Sequence, residues 1–223
     1  MKNWLIAFLL VGTAAVGWTQ TQTQEGADPA AKAILDQMKG IYESYKTLEA
    51  DFTLEIEIPE QDKEVQKGSI AQMGEKYHLQ LADQAIISDG STLWYYLKSK
   101  NEVQINNVEE DGEDEIMSPK ELLRIYESDD YQYALTNETY EKGKPVQQIE
   151  FKPLDRDSDY SKLRLTVLKK DKAIHRIKVF GKDGSRFTLS INALTPNKSF
   201  TNDYFTFDES KHQGVRVEDL RID

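Results

Sequence analysis

The stretch IISDGSTLWYYL, residues 86–97, predicts a β-hairpin from which the rest of the fold can be reasoned outward. Apolar and aromatic residues lie on both sides of a short polar turn, which is the usual signature of two paired strands. Gly90 can adopt a positive φ, and an Asp89-Gly90 pair favours the tight turn whose twist matches antiparallel strands. A two-residue turn there would place Ile86 opposite Leu93.

Both faces of this predicted hairpin are apolar. Ile86, Leu93 and Tyr95 share one face, because side chains alternate along a strand, and Trp94 and Tyr96 point to the other. An antiparallel hairpin commonly has one polar face exposed to water. We therefore expect a separate covering element on each side.

The same period of two recurs along most of the chain. Residues 48–58 alternate apolar with acidic or polar side chains, as in a half-buried strand. Asp183-Gly184 predicts a second hairpin turn. The pattern predicts a mainly β protein with helices (α+β), in which about ten or eleven antiparallel strands form a strongly curved sheet or partial barrel. The further strands are expected at residues 65–73, 76–82, 85–88, 92–97, 102–107, 131–140, 146–152, 163–169, 173–180 and 186–193, followed by an aromatic cluster at residues 200–207 and a polar tail.

Two helices are available to cover the sheet. Asp28-Pro29 predicts a helix start, and apolar residues spaced by three and four predict an amphipathic helix over residues 29–46. Ser118 begins a capping box that opens a short helix through Tyr126. The sheet-facing side chains of these helices are predicted to be Ile34, Met38, Ile41, Leu122 and Leu123. Between sheet and second helix, residues 109–115 are acidic and form either a solvated connector or a docking surface for a basic partner.

The N-terminus has the pattern of a signal peptide. A positively charged start is followed by the apolar run WLIAFLLVGTAAV, residues 4–16, and then by small residues. The run is shorter than the roughly 20 apolar residues of a membrane span. We predict a signal peptide over residues 1–20, a flexible tail over 21–27 and a single domain over 28–223, the alternative being an uncleaved anchor.

Composition excludes several classes of function. The chain has 223 residues and a formal net charge of −11, with no cysteine and three histidines. An acidic chain without a basic stripe is not expected to bind nucleic acid. Without cysteine there can be no thiolate metal site, catalytic thiol, disulfide or lipid-modified cysteine. No cofactor or metal is expected.

Enzyme motifs are not found in the sequence. It contains no nucleophile elbow, Walker loop, zincin motif or EF-hand loop. Asp51, Asp89 and Glu102 could supply carboxylates for glycoside hydrolysis, but a turn and two outward strand positions explain them as well. His78 is expected to face solvent. We therefore predict a protein that is not an enzyme.

The sequence instead offers many apolar side chains on one predicted sheet face. They could line a lipid-binding cavity at a barrel mouth, which is a common kind of ligand site, or the helices could fill the same space completely. The pattern leaves these two alternatives open. The candidate lipid-binding residues are Phe52, Leu54, Ile56, Ile70, Tyr77, Leu79, Ile86, Leu93 and Tyr95.

The hairpin, in its context, resembles the periplasmic outer-membrane lipoprotein carrier family, LolA. Residues 86–96 are similar to that family's SDG-x-TLW-x-Y hairpin, and they are accompanied by Lys67-Gly68-Ser69-Ile70, Ser118-Pro119 and Ala50-Asp51-Phe52. NDYFTF, residues 202–207, with GVRV, residues 214–217, resembles the family's C-terminal end. The likeness follows nearly the whole chain after the signal peptide, in order.

The resemblance implies an incomplete antiparallel β-barrel with a helical lid over an apolar cavity. The candidate lid residues are the sheet-facing helix residues Ile34, Met38, Ile41, Leu122 and Leu123. It also implies a monomeric periplasmic chaperone that takes acylated lipoproteins from an inner-membrane ABC transporter to an outer-membrane acceptor. Family members often carry Arg-Pro before the third strand, and that Arg holds the lid shut, whereas this chain has Met73-Gly74. The alternatives are a periplasmic sensor or regulatory domain of the same fold, which binds lipid or a partner, and a secreted hydrolase.

Overall fold

The computed structural model describes residues 28–108 and 125–221. This part of the chain folds into one α-helix and twelve strands, and all twelve strands belong to one sheet. Short 3-10 turns lie at Lys98–Lys100, Ile125–Glu127, Asn202–Phe205 and Glu209–Lys211. The elements are α1 (Pro29–Glu43), β1 (Leu48–Glu57), β2 (Glu64–Met73), β3 (Lys76–Gln80), β4 (Gln84–Ser88), β5 (Thr92–Leu97), β6 (Glu102–Asn107), β7 (Tyr131–Glu141), β8 (Lys144–Pro153), β9 (Tyr160–Leu168), β10 (Ile174–Gly181), β11 (Arg186–Pro196) and β12 (Arg216–Asp219).

The sheet is open and runs in the order β12-β6-β5-β4-β3-β2-β1-β11-β10-β9-β8-β7. The mainly β class and eleven of the strands are as predicted. The expectation of an entirely antiparallel sheet is wrong at one edge, because β12 pairs parallel to β6. Local pattern could not reveal β12: it has four residues with one apolar side chain, and its partner strand lies more than a hundred residues away.

The β4–β5 hairpin has a different register from the one predicted. Asp89 and Thr92 close the turn, with 3.2 Å from the Asp89 nitrogen to the Thr92 carbonyl oxygen, so that Gly90 occupies its first central position at φ 93°. Ile86 consequently pairs with Tyr95 and not with Leu93. A shift of two residues preserves the alternation of side chains, and both predicted faces are therefore retained.

Helix α1 begins where the sequence predicted. The Asp28 carboxylate accepts a hydrogen bond from the Ala30 nitrogen at 2.8 Å, and Pro29 occupies the first turn. The helix ends at Glu43 rather than Lys46, because the Ser44 hydroxyl and N–H both turn back to carbonyl groups of the last turn. Of the predicted second helix, residues 118–124 lie outside the described residues, and Ile125–Glu127 forms a 3-10 turn. Residues 1–27 and the acidic segment 109–115 also lie outside them.

The face of the sheet on which α1 packs is here called the inner face. Over β7–β10 the inner face and the helix form the hydrophobic core, in which Leu35, Phe151, Ile149 and Val167 are at most 1% exposed. The other buried members of this core are Ala31, Ile34, Met38, Tyr42, Ile125, Tyr126, Tyr131, Tyr133, Tyr160, Leu163, Leu165 and Val179.

On the opposite, outer face, strands β3 and β5 are covered by the aromatic segment near the C-terminus of the chain. The ring of Tyr96 lies 5.1 Å from that of Phe207 and 4.5 Å from that of His212. His78 is half-buried against Tyr204, and its Nδ1 lies 3.0 Å from the Tyr204 carbonyl oxygen. The expectation that His78 faces solvent is therefore wrong, and burial lowers the pKa of its imidazole. The aromatic cluster supplies the cover that the hairpin needed on this face.

Candidate functional site

The nine predicted lipid-binding residues all point to the inner face. Four of them form a row across four strands, because Ile70 pairs with Leu79, Leu79 with Ile86, and Ile86 with Tyr95. The remaining five lie on the same side by the alternation of β1, β3 and β5. We call these nine side chains the N-terminal apolar row. It consists of Phe52, Leu54, Ile56, Ile70, Tyr77, Leu79, Ile86, Leu93 and Tyr95.

The row continues into the C-terminal part of the sheet through strand β11. Leu54 pairs with Leu189, and Ile56 pairs with Phe187. Phe187 in turn packs against the hydrophobic core. Sequence reasoning recognised β11 but did not place its side chains in the site, because the β1–β11 pairing joins segments more than a hundred residues apart. Period-two alternation from Phe187 to Ile191 was the signal available for them.

The nine side chains of the row differ in how far they are buried. Phe52, Tyr77 and Ile86 are buried, whereas the other six side chains, such as Leu79 and Leu93, are only half-buried. Half-buried aliphatic and aromatic groups of this kind provide non-directional contact area. They can bind hydrocarbon without requiring a fixed polar partner.

The glycine in the family-like stretch of residues 67–70 has a structural reason, because there is no room for a side chain at Gly68. It lies opposite Phe52 in the β1–β2 pairing. A Cβ atom at Gly68 would stand 2.4 Å from Cζ of the Phe52 ring and 2.7 Å from the Gln80 carbonyl oxygen. The absent side chain therefore makes room for the Phe52 ring against the sheet.

The predicted lid residues of α1 lie over the other end of the inner face. Ile34 and Met38 are buried in the core formed with β7–β10, and Ile41 is half-buried. The structure thus does not bring these side chains over the N-terminal apolar row. Leu122 and Leu123 lie outside the described residues.

A small apolar cavity lies beneath α1. It encloses about 10 Å³, comparable to one water molecule. A space of this size cannot hold an acyl chain, and the helical lid over a large cavity that the resemblance implied stays a prediction. The cavity is lined by Met38, Ile125, Phe151, Leu163, Leu165, Ile174 and Ile177.

Polar contacts fasten α1 to the sheet at both ends. At its N-terminus the Asp28 carboxylate accepts a hydrogen bond from the Leu135 nitrogen at 2.9 Å, and the Asp28 nitrogen donates to the Tyr133 carbonyl oxygen at 3.2 Å. At its C-terminus the Tyr42 hydroxyl accepts a hydrogen bond from the Ile174 nitrogen at 3.0 Å. Backbone hydrogen bonds, first that from Leu135, lower the pKa of Asp28, and burial raises that of Tyr42 to about 12.

The 3-10 turn at Ile125–Glu127 adds two contacts to the middle of the helix. The Tyr126 hydroxyl donates to an Asp36 carboxylate oxygen at 2.9 Å, and Lys39 forms an ion pair with Glu127. These contacts join the middle of α1 to the 3-10 turn.

Two of the three carboxylates considered for catalysis, Asp89 and Glu102, have structural roles. Asp89 accepts hydrogen bonds from the nitrogens of Ser91 and Thr92 in its own turn. Glu102 pairs with Arg216 of β12, with 3.4 Å between the charged atoms. Within residues 28–108 and 125–221 no cluster of three or more His, Asp or Glu side chains could hold a metal ion.

A family model matches most of the chain. The model for the outer membrane lipoprotein carrier protein LolA matches residues 43–208, which extend from the end of α1 to beyond the aromatic segment. The chain belongs to the LolA family. In the described part of this LolA-family chain, no helix is both long enough and apolar enough to cross a membrane.

A solved structure supports the fold assignment. An uncharacterized conserved protein from Thermus thermophilus superimposes with a TM-score of 0.57 at 13% identity, covering 86% of this chain and 99% of that one. A LolA superfamily protein from Nitrosomonas europaea covers 80% of this chain and 98% of its own, at 14% identity and a TM-score of 0.41.

One curated relative is more similar in sequence. An uncharacterized protein from Methanocaldococcus jannaschii is 34% identical over 98 residues, which are 44% of this chain. The matched region spans 27% of the length of that relative.

Proposed function

We propose that this protein is a periplasmic carrier that binds the acyl chains of lipoproteins and moves them from the inner to the outer membrane. The observation that supports the proposal is the N-terminal apolar row, a set of nine apolar side chains on one sheet face, four of them cross-strand neighbours and six half-buried. Its proposed partners are acylated lipoproteins, an inner-membrane ABC transporter that releases them and an outer-membrane acceptor. We propose no enzymatic activity.

The chemistry of the cargo makes a carrier necessary. Exposing hydrocarbon to water costs about 0.8 kcal/mol per CH₂, so one chain of about 16 carbons costs on the order of 12 kcal/mol. A diacylated or triacylated protein cannot cross an aqueous compartment against that cost. An apolar strip offers compensation without directional bonds, and the cargo can then be passed on.

The small size of the space beneath α1 limits where the acyl chain would bind. The C-terminal part of the inner face is already occupied by the helix, with room for about one water molecule. We therefore assign the first contact of the acyl chain to the N-terminal apolar row. Deeper entry requires α1 to give up the contacts of Asp28 and Tyr42 with the sheet.

The test measures binding of a palmitoylated, fluorescently labelled peptide to the protein lacking residues 1–20. Leu79→Glu and Leu93→Glu each place a carboxylate in the row, and each is expected to weaken binding about tenfold or more, because hydrocarbon would then desolvate a charge. Leu154→Glu is the matched control, since Leu154 is 52% exposed after β8 and distant in the sheet from the row.

Folding must be checked separately from binding. Thermal unfolding and circular dichroism establish that each variant is folded, and Leu79→Ser serves if a glutamate variant is not. Unaltered affinity of folded row variants, or equal loss in Leu154→Glu, would refute the assignment. The peptide without its acyl chain should not bind.

A second candidate is a periplasmic sensor of the same fold that binds lipid or a partner protein without transporting it. The small space beneath α1 favours it, since a sensor need not open to accommodate a whole acyl chain. Depletion of the protein distinguishes the two. Mislocalised outer-membrane lipoproteins are expected for a carrier, and correct localisation would favour the sensor.

A further inference from the structure

The two hairpin turns at one end of strands β7–β10 carry a group of lysines. The turns are neighbours, because the Lys169 nitrogen, just after β9, donates a hydrogen bond to the Pro145 carbonyl oxygen on β8 at 2.9 Å. Val146 pairs with Leu168 beside this contact, so the sheet itself holds the two turns together. We call the lysines of these turns the lysine tip. It consists of Lys142, Lys144, Lys169, Lys170 and Lys172.

The charged ends of the tip face water from a common base in the sheet. Four of the five side chains are exposed, and only Lys172 is half-buried. Its Nζ donates a hydrogen bond to the side-chain oxygen of Gln147 at 2.6 Å, which joins the β9–β10 turn to β8. Glu141 pairs with Lys144 across the β7–β8 turn, and Lys142 stands at the corner of that turn.

The carboxylates of this end offset only part of the positive charge. Glu138 forms an ion pair with Lys169 at 2.6 Å, and Glu141 forms one with Arg176 at 2.8 Å. The third carboxylate is Asp171, in the β9–β10 turn, which accepts a hydrogen bond from the backbone of that turn at 3.2 Å. The two ion pairs are neutral, and Asp171 can balance no more than one further lysine.

Three lysines of the tip have no ion-pair partner. Within residues 28–108 and 125–221, Lys142, Lys144 and Lys170 form no ion pair with a carboxylate. The adjoining end of α1 adds one charge of each sign, Glu43 and Lys46. The tip therefore keeps an excess of positive charge, on a chain whose net charge is −11.

The pKa of His175 reflects the same excess. Its Nε2 lies 3.5 Å from a carboxylate oxygen of Glu141. Burial lowers the pKa of His175, and the positive charges of Arg176, Lys144 and Lys142 lower it further, although Glu141 acts in the opposite direction. The positive potential of the turns thus extends to the start of β10.

The other end of the same strands carries the opposite charge. The loop after β8 contains exposed Asp155, Asp157 and Asp159, with Arg156 among them. Strand β8 has ten residues and separates the two ends by about 30 Å, at about 3.3 Å per residue. That is about three Debye lengths at 0.1 M salt, so the acidic end does not cancel the field of the tip. An anionic surface would attract the molecule by the tip and repel its other end.

The spread of the lysines suits a planar partner. They lie across the ends of four neighbouring strands, a width of about 15 Å at about 4.8 Å per strand. Beside them Tyr140, which is 74% exposed, pairs with the exposed Pro145. Clusters of about four to eight basic residues are typical of binding to anionic lipid, and tyrosine is enriched at the membrane–water interface. An extended acidic peptide would contact only part of this width.

We propose that the lysine tip docks the protein on the surface of a membrane that contains anionic phospholipid. The ammonium groups would contact lipid phosphates, and Tyr140 would lie at the level of the headgroups. The tip shares no residue with the N-terminal apolar row, so docking does not require acyl-chain binding. Attraction between exposed charges is screened by salt, and docking should weaken steeply as the ionic strength rises.

The test measures co-sedimentation of the protein lacking residues 1–20 with vesicles of about 30% phosphatidylglycerol in phosphatidylcholine, at low salt. The triple variant Lys142→Gln/Lys144→Gln/Lys170→Gln is expected to weaken binding about tenfold or more, because it removes the three lysines that have no carboxylate partner. Tyr140→Ser should weaken binding about threefold and leave its salt dependence unchanged.

The matched control is Lys67→Gln/Lys100→Gln/Lys152→Gln, which makes the same change in net charge at exposed positions outside the tip. Its affinity for the vesicles should stay within about twofold of that of the unsubstituted protein. Circular dichroism and thermal unfolding establish that each variant is folded.

Three outcomes would overturn the proposal. They are absence of binding to the anionic vesicles at low salt, equal binding to vesicles of phosphatidylcholine alone, and equal weakening in the two triple variants. Binding of a labelled peptide of alternating Glu and Ser that depends on the three lysines, while vesicles do not bind, would assign the tip to an acidic protein instead.

Leu79→Glu separates this proposal from the carrier function. The folded variant is expected to lose the palmitoylated peptide and to keep its binding to anionic vesicles. Loss of both would show that the membrane is bound through the N-terminal apolar row and would contradict docking by the tip.

Discussion

The two halves of the inner face carry similar side chains but are covered differently. In the C-terminal half, Phe151 and Ile149 lie at 0% exposure beneath α1. In the N-terminal half, side chains of the same kind, such as Leu79 and Leu93, are half-buried. The halves meet along the β1–β11 pairing and form one continuous surface.

The difference separates stability from the proposed binding function. Apolar area that is already removed from water stabilises the fold, and it cannot contribute a second time to ligand binding. Apolar area that is still partly exposed to water can contribute to the free energy of binding when a ligand covers it. We therefore expect substitutions in the C-terminal half to act on unfolding and those in the N-terminal apolar row to act on binding.

Phe151→Ala should give the largest loss of stability. A small loss would contradict the difference between the two halves. It removes a fully buried ring that contacts Tyr133 at a centroid distance of 5.6 Å, and should lower the free energy of unfolding by about 3–5 kcal/mol. Leu93→Ala, in the half-buried row, should lower it by roughly 1–2 kcal/mol. Denaturant titration measures both.

Equal losses for these two variants would show that both halves are packed alike. If Phe151→Ala does not fold, Ile149→Val offers a milder test in the same half. Its expected loss is about 1 kcal/mol.

Gly68→Ala tests whether the N-terminal half, although partly exposed, is tightly packed at Gly68. The new Cβ would meet the Phe52 ring and the Gln80 backbone, and the backbone atom cannot move aside cheaply. The free energy of unfolding should fall by about 1–3 kcal/mol. Gly40→Ala is the control, since a Cβ there meets no atom within 4 Å in α1 and should stabilise the helix by about 0.5–1 kcal/mol. A neutral Gly68→Ala would contradict the close packing of Phe52.

Tyr42→Phe tests the attachment of α1 to the C-terminal half. Without the hydroxyl, the Ile174 N–H loses its acceptor, and the free energy of unfolding should fall by about 1–2 kcal/mol. Tyr45→Phe, at a ring whose centroid is 5.7 Å from that of Tyr42, should change it by less than about 0.5 kcal/mol. If the helix acts as a movable element, Tyr42→Phe should also strengthen binding of the palmitoylated peptide.

The smallest expected effect is a pH dependence at the other end of the helix. The pKa of Asp28 is lowered from 3.8, chiefly by the hydrogen bond from Leu135, so the folded state favours the charged carboxylate. Its contribution is present above the ordinary pKa and is lost as the pH falls through the lowered one. The stability difference between the natural protein and Asp28→Asn should therefore be constant at pH values well above 3.8 and shrink as the pH falls below it. A difference that does not change with pH would show that the charge is irrelevant.

Much of the fold was predictable because its signals are local. The Asp28-Pro29 cap, the two Gly-containing hairpin turns and the period-two strands each depend on a few adjacent residues, and the structure confirms them. The faces of the β4–β5 hairpin were also predicted correctly, although Ile86 pairs with Tyr95. Alternation survives a two-residue shift, whereas the pairing partner depends on which residues close the turn.

The errors arose where distant segments meet. His78 was expected in solvent because its neighbours in sequence do not reveal Tyr204, which covers it from more than a hundred residues away. The parallel strand β12 was missed for the same reason. The helix was predicted as an amphipathic cover, but nothing in its own sequence shows which part of a continuous apolar face it will cover.

The sequence by itself determined the strand pattern, the first helix, the apolar face on which the nine candidate residues lie, and the family resemblance. These follow from alternation, capping and turn chemistry, which act between residues close in the chain. The tertiary structure alone decided that α1 seals β7–β10 and leaves the N-terminal apolar row half-covered. The same apolar side chains would suit either position, and only the long-range pairing and the contacts of Asp28 and Tyr42 with β7 and β10 distinguish them.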